Sequence, residues 1–115
     1  MKDLKQAILN VDDLPREAVE VKAWGVTVYL RPMTGTERDA YEAVVFKTDG
    51  TMKREDMRAE LLVRCLVDAS GNRLFGDDEV AALGGKNSAV LCPLFLKAQR
   101  INGIGVGSDE EMEKN

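Results

Sequence analysis

Apolar and polar residues alternate between residues 18 and 32, AVEVKAWGVTVYLRP, with the period of two that is typical of β-strands. A two-residue turn at Trp24-Gly25 leaves only apolar side chains on one face of a hairpin. The pairs on that face are Ala23–Val26, Val21–Val28 and Val19–Leu30, and the other face carries Lys22–Thr27 and Glu20–Tyr29. Because glycine adopts positive φ without strain, Gly25 suits the turn. The pattern predicts an N-terminal β-hairpin.

Helical spacing dominates the rest of the chain. A short helix over residues 2–9 places Leu4, Ala7 and Ile8 on one side, and Thr34 with Glu37 fits a capping box that opens a helix to about Phe46. The further predicted helices cover about 54–67, 78–83 and a last one from near Ser88, or from nearer Cys92 if Pro93 lies in its first turn, to a cap at Asn102-Gly103. The order predicts an α+β fold, with the hairpin packed against a mainly helical C-terminal two-thirds.

The length of 115 residues suits one domain with one core. We assign residues 1–103 to that domain and residues 104–115 to a flexible acidic C-terminal tail, because the tail has little to bury. The net charge of -4 argues against nucleic acid as a partner, and no apolar run is long enough to cross a membrane.

Residue types that commonly carry catalysis are scarce. The sequence contains no histidine, which excludes the usual nucleophilic triads and most zinc enzymes. Cys65 and Cys92 lie on or beside apolar stripes outside any CxxC motif, so we expect two buried thiols. No phosphate-binding or metal motif is complete. We therefore predict no enzyme and no cofactor.

The segment DASGNRLFGDDE, residues 68–79, resembles a calcium-binding loop. Asp68, Ser70 and Asn72 supply oxygens at positions 1, 3 and 5, and Glu79 stands at position 12. Arg73 occupies position 6, however, where such loops require glycine. We therefore interpret the segment as a turn, a short apolar stretch and a helix start, in which the acids favour the positive end of the helix dipole.

The outer face of the predicted hairpin carries the candidate partner-binding residues. Trp24 and Tyr29 point away from the valine side, and Arg31 lies near them. These residue types dominate interface hot spots. The alternative is that the three side chains pack beneath the N-terminal helix.

Taken in order, several segments resemble the tail assembly chaperones of long-tailed bacteriophages and prophages. The segments are V-x-V-x-x-W-G-V-T-V-Y-L-R (19–31), M-T-G-T-E-R-D-A-Y-E (33–42), L-V-D-A-S-G-N-R-L-F-G-D-D-E-V-A-A-L-G (66–84) and R-I-N-G (100–103). The resemblance implies a non-enzymatic protein of the host bacterial cytoplasm. It would coat the largely helical tape measure protein, keep it soluble, and yield to polymerising tail tube subunits without entering the virion.

The same resemblance implies a longer form, made by a ribosomal frameshift near the end of the chain, whose extension recruits the tail tube protein. Lys114-Asn115 is a pair that a slippery A-rich codon run can encode. Two other functions stay open at this point. A structural tail or head–tail connector protein would also be small and non-enzymatic, and a calcium-responsive module would depend on residues 68–79 alone.

Overall fold

The predicted hairpin forms two strands of a three-stranded antiparallel sheet. The computed structural model describes residues 3–104. The predicted flexible tail, residues 104–115, lies outside the described residues except for Ile104. The sheet has the order β1 (Glu17–Val21), β2 (Val26–Leu30) and β3 (Leu66–Val67). The hairpin is confirmed, whereas the third strand was not predicted.

The predicted hairpin register is wrong by two residues. Val21 pairs with Val26, Val19 with Val28, and Glu17 with Leu30. Residues 22–24 form a 3-10 turn, closed by a hydrogen bond from Gly25 N–H to the Lys22 carbonyl at 3.1 Å, and Gly25 follows at φ 67°. The connection is therefore four residues long. An even shift preserves the alternation of side chains, so Val19, Val21 and Val28 still share one face.

The helices supply most of the core. Their bounds are α1 Leu4–Asn10, α2 Gly35–Val45, α3 Met57–Cys65, α4 Val80–Gly84 and α5 Ser88–Ile101, with a 3-10 turn at Asp77–Glu79. Helix α3 lies at the centre and packs against α2, α4 and α5. Its Leu61, Leu62 and Val63 are fully buried, together with Leu30 of β2 and Leu66 of β3. This arrangement confirms the α+β class.

Two predicted helix ends are present as predicted. The Thr34 hydroxyl accepts from Glu37 N–H at 3.1 Å, and the Glu37 carboxylate accepts from Thr34 N–H at 2.9 Å, which completes the capping box of α2. At the end of α5, Gly103 has φ 66° and Ile104 N–H donates to the Gln99 carbonyl at 2.7 Å. This is a Schellman ending, and Ile104 packs against the core.

Other predicted boundaries need correction. The helix expected over 54–67 covers only Met57–Cys65, because Leu66 and Val67 extend to pair with Leu30 and Tyr29. Helix α5 begins at Ser88 after an Asn87 cap, which confirms the first of the two predicted starts, so the alternative start nearer Cys92 is wrong and Pro93 lies inside the helix.

The two thiols differ. Cys65 is buried, and burial raises its pKa to about 11, whereas Cys92 is only half-buried. The expectation of two buried thiols therefore holds for Cys65 alone.

Candidate functional site

The N-terminal helix carries an apolar surface that nothing in the described domain covers. Asp3 begins α1 by accepting a hydrogen bond from Lys5 N–H at 3.1 Å. Leu4, Ile8 and Val11 follow at i, i+4 and i+7, and Leu9 adjoins them. We call these four residues the α1 stripe. Leu4 is 75% exposed and Ile8 63%, and α1 contains no buried residue. An exposed run of large apolar side chains is typical of an interaction surface.

The α1 stripe was not identified from the sequence. Its apolar spacing predicted a helix with one apolar side, and in most proteins such a side packs on the core. The signal that separates it from the core is the connector at residues 11–16, which contains Asp12, Asp13 and Pro15 and is largely exposed. A polar connector of this kind lets a short helix stand apart from the domain.

The three residues proposed from the hairpin face do not form one exposed patch. Trp24 ends the 3-10 turn and packs partly against the core, and Tyr29 is half-buried opposite Ala18. Arg31 is only 7% exposed. The alternative that they pack beneath the N-terminal helix is not observed either, since the side chains of α1 face solvent. Their role in partner binding stays a prediction.

Arg31 joins the end of β2 to the start of α2. Its guanidinium donates two hydrogen bonds to the Glu37 carboxylate, at 2.7 and 3.0 Å, and one to the Pro32 carbonyl at 2.8 Å. Burial pushes the pKa of Glu37 upward, but hydrogen bonds from Arg31 and Thr34 and the charges of Arg31 and Arg73 outweigh it, so the pKa lies below its ordinary value. The pair fixes the angle at which α2 leaves the sheet.

The loop from Asp68 to Glu79 uses its oxygens for local hydrogen bonds. The Asp68 carboxylate accepts from Ser70 N–H at 2.9 Å and from Asn72 N–H at 3.0 Å, and Glu79 accepts from Gly76 N–H at 2.8 Å. Gly71 adopts φ 91° at the turn. Within residues 3–104, no group of three His, Cys, Asp or Glu side chains is arranged to hold a metal ion. The bonding is that of a turn followed by a helix start.

Arg73 places a permanent cation in the middle of this loop. Its guanidinium donates to the Val63 carbonyl at 3.0 and 3.1 Å, pairs with Asp77 at 2.6 Å and approaches Glu37 at 3.5 Å. The hydrogen bond from Arg73 holds the pKa of Asp77 below its ordinary value. The side chain therefore joins the loop to α3 and to α2.

Arg64 extends the same network into the core. It pairs with Glu60 at 2.9 Å and with Asp77 at 3.4 Å, and it also donates to the Glu60 carbonyl at 2.7 Å. Its Nε has no hydrogen-bond partner in the described structure. The complete network consists of Arg31, Glu37, Glu60, Arg64, Arg73 and Asp77. It joins β2, α2, α3 and the 68–79 loop, and its contacts are those of a structural network.

Comparison with known proteins gives a consistent result. A model of the phage tail assembly chaperone family matches residues 3–115. The chain belongs to the phage tail assembly chaperone family. The solved structure of the bacteriophage HK97 tail assembly chaperone is similar, with a TM-score of 0.65 and 22% sequence identity over 90% of this chain and 96% of the HK97 chain. No curated protein matches the sequence.

The resemblance noted from the sequence is therefore confirmed at the level of the family. At 22% identity, the likeness to the HK97 chaperone shows a shared fold. A tail assembly chaperone acts on other phage tail proteins, so its functional surfaces are contact surfaces. The α1 stripe, with four exposed large apolar side chains, is one such candidate. None of the helices in the described range is long and apolar enough to cross a bilayer.

Proposed function

We propose that this tail assembly chaperone binds the phage tape measure protein and keeps it soluble until tail tube subunits polymerise around it. It acts in the cytoplasm of the host bacterium, catalyses no reaction, and is not a component of the virion. The family match supports the general role. The observation that carries the client-binding part is the α1 stripe, whose side chains from Leu4 to Val11 are mostly exposed.

The chemistry of the α1 stripe suits an amphipathic helix as its partner. The family resemblance implies a largely helical tape measure protein, and an isolated amphipathic helix exposes an apolar face of comparable width. Placing apolar faces together removes both from water, at about 25 cal/mol per Å² of apolar surface. Contact between two amphipathic helices depends on the spacing of apolar side chains rather than on exact sequence. One chaperone could therefore bind many positions along a long client.

Weak individual contacts are an advantage in this role. A seven-residue helix presents only a few anchoring side chains, so each copy binds weakly. Many copies on one client, each held near its neighbours, still give a stable coat through avidity. Tube subunits can then displace the copies one at a time.

Trp24 and Tyr29 are proposed as a second contact, in addition to the α1 stripe. Both keep part of their surface accessible, and aromatic side chains contribute strongly at interfaces. Arg31 would contribute indirectly, since its guanidinium is bound to Glu37.

Recruitment of the tail tube protein is proposed for a longer, frameshifted form. The existence of the frameshifted form is tested by examining the coding DNA for a slippery run and by searching for the longer product with mass spectrometry.

Co-expression with the tape measure protein of the same phage tests the proposal. The parent chain should raise the soluble fraction of the tape measure protein, and Leu4→Ala with Ile8→Ala should abolish most of that gain. Lys5→Ala with Gln6→Ala is the matched control on the polar side of the same helix. Equal insolubility with and without the parent chain would contradict the chaperone role.

Two further variants separate the surfaces. If rescue survives the loss of Leu4 and Ile8 but not Trp24→Ala with Tyr29→Ala, the hairpin is the main contact and the α1 stripe is not. Mass spectrometry of purified virions tests the non-virion status. Stoichiometric amounts of this chain in the particle would instead favour a structural tail or connector protein.

A further inference from the structure

A basic pocket lies where the first turns of α3 and α5 meet the end of α4. The pocket has a volume of about 150 Å³, and Arg54, Arg58 and Lys86 lie on its rim. Met57 and Leu91 supply an apolar floor. All three cationic side chains belong to exposed residues. The pocket therefore combines positive charge with a small apolar surface, which suits a segment that carries several acids.

None of the ion pairs found within residues 3–104 includes Arg54, Arg58 or Lys86. Arg58 stacks on Phe95 with 5.8 Å between its guanidinium carbon and the ring centroid, which orients it without neutralising it. Asp56 is the one acid in the lining, and its carboxylate oxygen lies toward Gly84, 3.2 Å from where a Cβ would stand. The lining keeps an excess of positive charge.

The acids that complement this pocket are in the same chain. Residues 105–115 contain Asp109, Glu110, Glu111 and Glu113 with a single lysine, and so carry three of the four net negative charges of the protein. The pocket lining carries a net positive charge and the acidic segment a net negative charge, so the two attract each other.

Chain length allows the two to meet. Helix α5 has 14 residues and spans about 21 Å, so the pocket at its start lies roughly that far from Ile104 at its end. An extended chain covers about 3.3 Å per residue, which places Asp109 within about 17 Å of Ile104 and Glu113 within about 30 Å. Residues 110–113 thus come within reach of the pocket if the chain returns along α5, whereas Asp109 falls short of it.

We propose that residues 110–113 bind in cis to the pocket formed by Arg54, Arg58 and Lys86. The contact needs little intrinsic affinity, because a short tether gives an effective concentration in the millimolar range. It should weaken with salt, since exposed charges are screened at high ionic strength. The proposal does not depend on binding of the tape measure protein.

NMR of the full chain at low ionic strength provides the first test. Glu110→Gln with Glu111→Gln should shift the amide signals of residues 54–58 and 84–88 and leave the hairpin signals in place. Addition of sodium chloride to the parent should move the same signals in the same direction. The control Asp12→Asn with Asp13→Asn changes the net charge equally and should leave the pocket signals unchanged. Unchanged pocket signals in the tail variant would overturn the proposal.

Zero-length carbodiimide cross-linking provides the second test and identifies the source of the acids. Lys86 should form amides, with loss of water, to carboxylates of residues 110–113 within the monomer. The product joining Lys86 to Asp56 serves as an internal reference, because both residues line the pocket. The tail product should be lost at high salt. Tail products spread evenly over Lys5, Lys22 and Lys47, or found only in cross-linked dimers, would contradict binding in cis.

Discussion

Helices α1 and α3 have similar lengths and similar apolar spacing but opposite environments. In α3, residues Ala59–Cys65 are all buried, including Glu60 and Arg64, which pair with each other. In α1, no residue is buried and Leu4 and Ile8 face solvent. The periodicity of a helix therefore tells which side is apolar, but not whether the covering surface lies in the same chain. In a protein of a chaperone family, an exposed apolar helix such as α1 is a candidate contact surface.

The largest expected effect is on the α3 side of this comparison. Leu61 is fully buried, so Leu61→Ala should lower the free energy of unfolding by about 2–5 kcal/mol through lost burial and a cavity. Unfolding in urea, followed by circular dichroism, measures the change. A loss below about 1 kcal/mol would mean that α3 is not packed as described.

Local rules predicted much of this fold. The capping box at Thr34 and the glycine ending at Gly103 depend on side chains within a few residues of each other, so the sequence is sufficient to identify them. The α+β class and the alternation in the hairpin follow from periodicity. The hairpin register could not be predicted in this way, because nothing local distinguishes a two-residue turn at Trp24-Gly25 from the longer connection that begins at Lys22.

The features that were not predicted from the sequence depend on long-range contacts. Leu66 and Val67 continue the apolar pattern of α3, and only their pairing with β2 makes them a strand. The burial of Arg31 depends on Glu37 and Arg73 arriving from other elements. The exposure of α1 is not encoded in its own pattern. Its proposed partner is another protein, so the sequence of this chain could not indicate where the apolar side is covered.

The next largest effect on stability is expected at the buried charge of Arg31, since α1 contains no buried charge. Glu37→Gln would leave Arg31 buried without its carboxylate and should destabilise the fold by about 3 kcal/mol. Urea unfolding near neutral pH measures this. The matched variant Glu42→Gln removes an exposed partner of Arg38 on the same helix and should cost less than about 1 kcal/mol. If the two variants lose equal free energy of unfolding, the buried pair of Arg31 and Glu37 stabilises the fold no more than the exposed pair of Arg38 and Glu42.

Acid should reproduce part of this loss. The pKa of Glu37 in the folded protein lies below the ordinary value of 4.5, so at mildly acidic pH the unfolded chain binds a proton that the folded chain does not. The stabilisation is fully present above about pH 4.5 and is lost as the pH falls through the folded pKa. Unfolding measured between pH 6 and pH 3 should show this fall, and Glu37→Gln should make it shallower. An unchanged slope in the variant would contradict the assignment.

A smaller effect is expected at the hairpin that follows the α1 connector. Gly25 adopts φ 67°, and a β-branched residue resists that conformation, so Gly25→Val should cost about 1 kcal/mol or more. Gly35→Ala is the control, because Gly35 lies at the start of α2 with open space around it and no positive φ. Thermal melting compares the two variants with the parent. A Gly25→Val melting temperature equal to that of the parent would mean that the turn is not as described.

The smallest effect on stability, and the sharpest test of the comparison, is expected in α1 itself. Leu4→Ala with Ile8→Ala should change the free energy of unfolding by no more than about 0.5 kcal/mol, because the removed side chains are already in water. Alanine is the best helix former, so α1 should persist while its apolar surface shrinks. The same double substitution should nevertheless remove most of the gain in tape measure solubility. A stability loss above about 1 kcal/mol would show that α1 packs on the domain, and the α1 stripe would then be core rather than a contact surface.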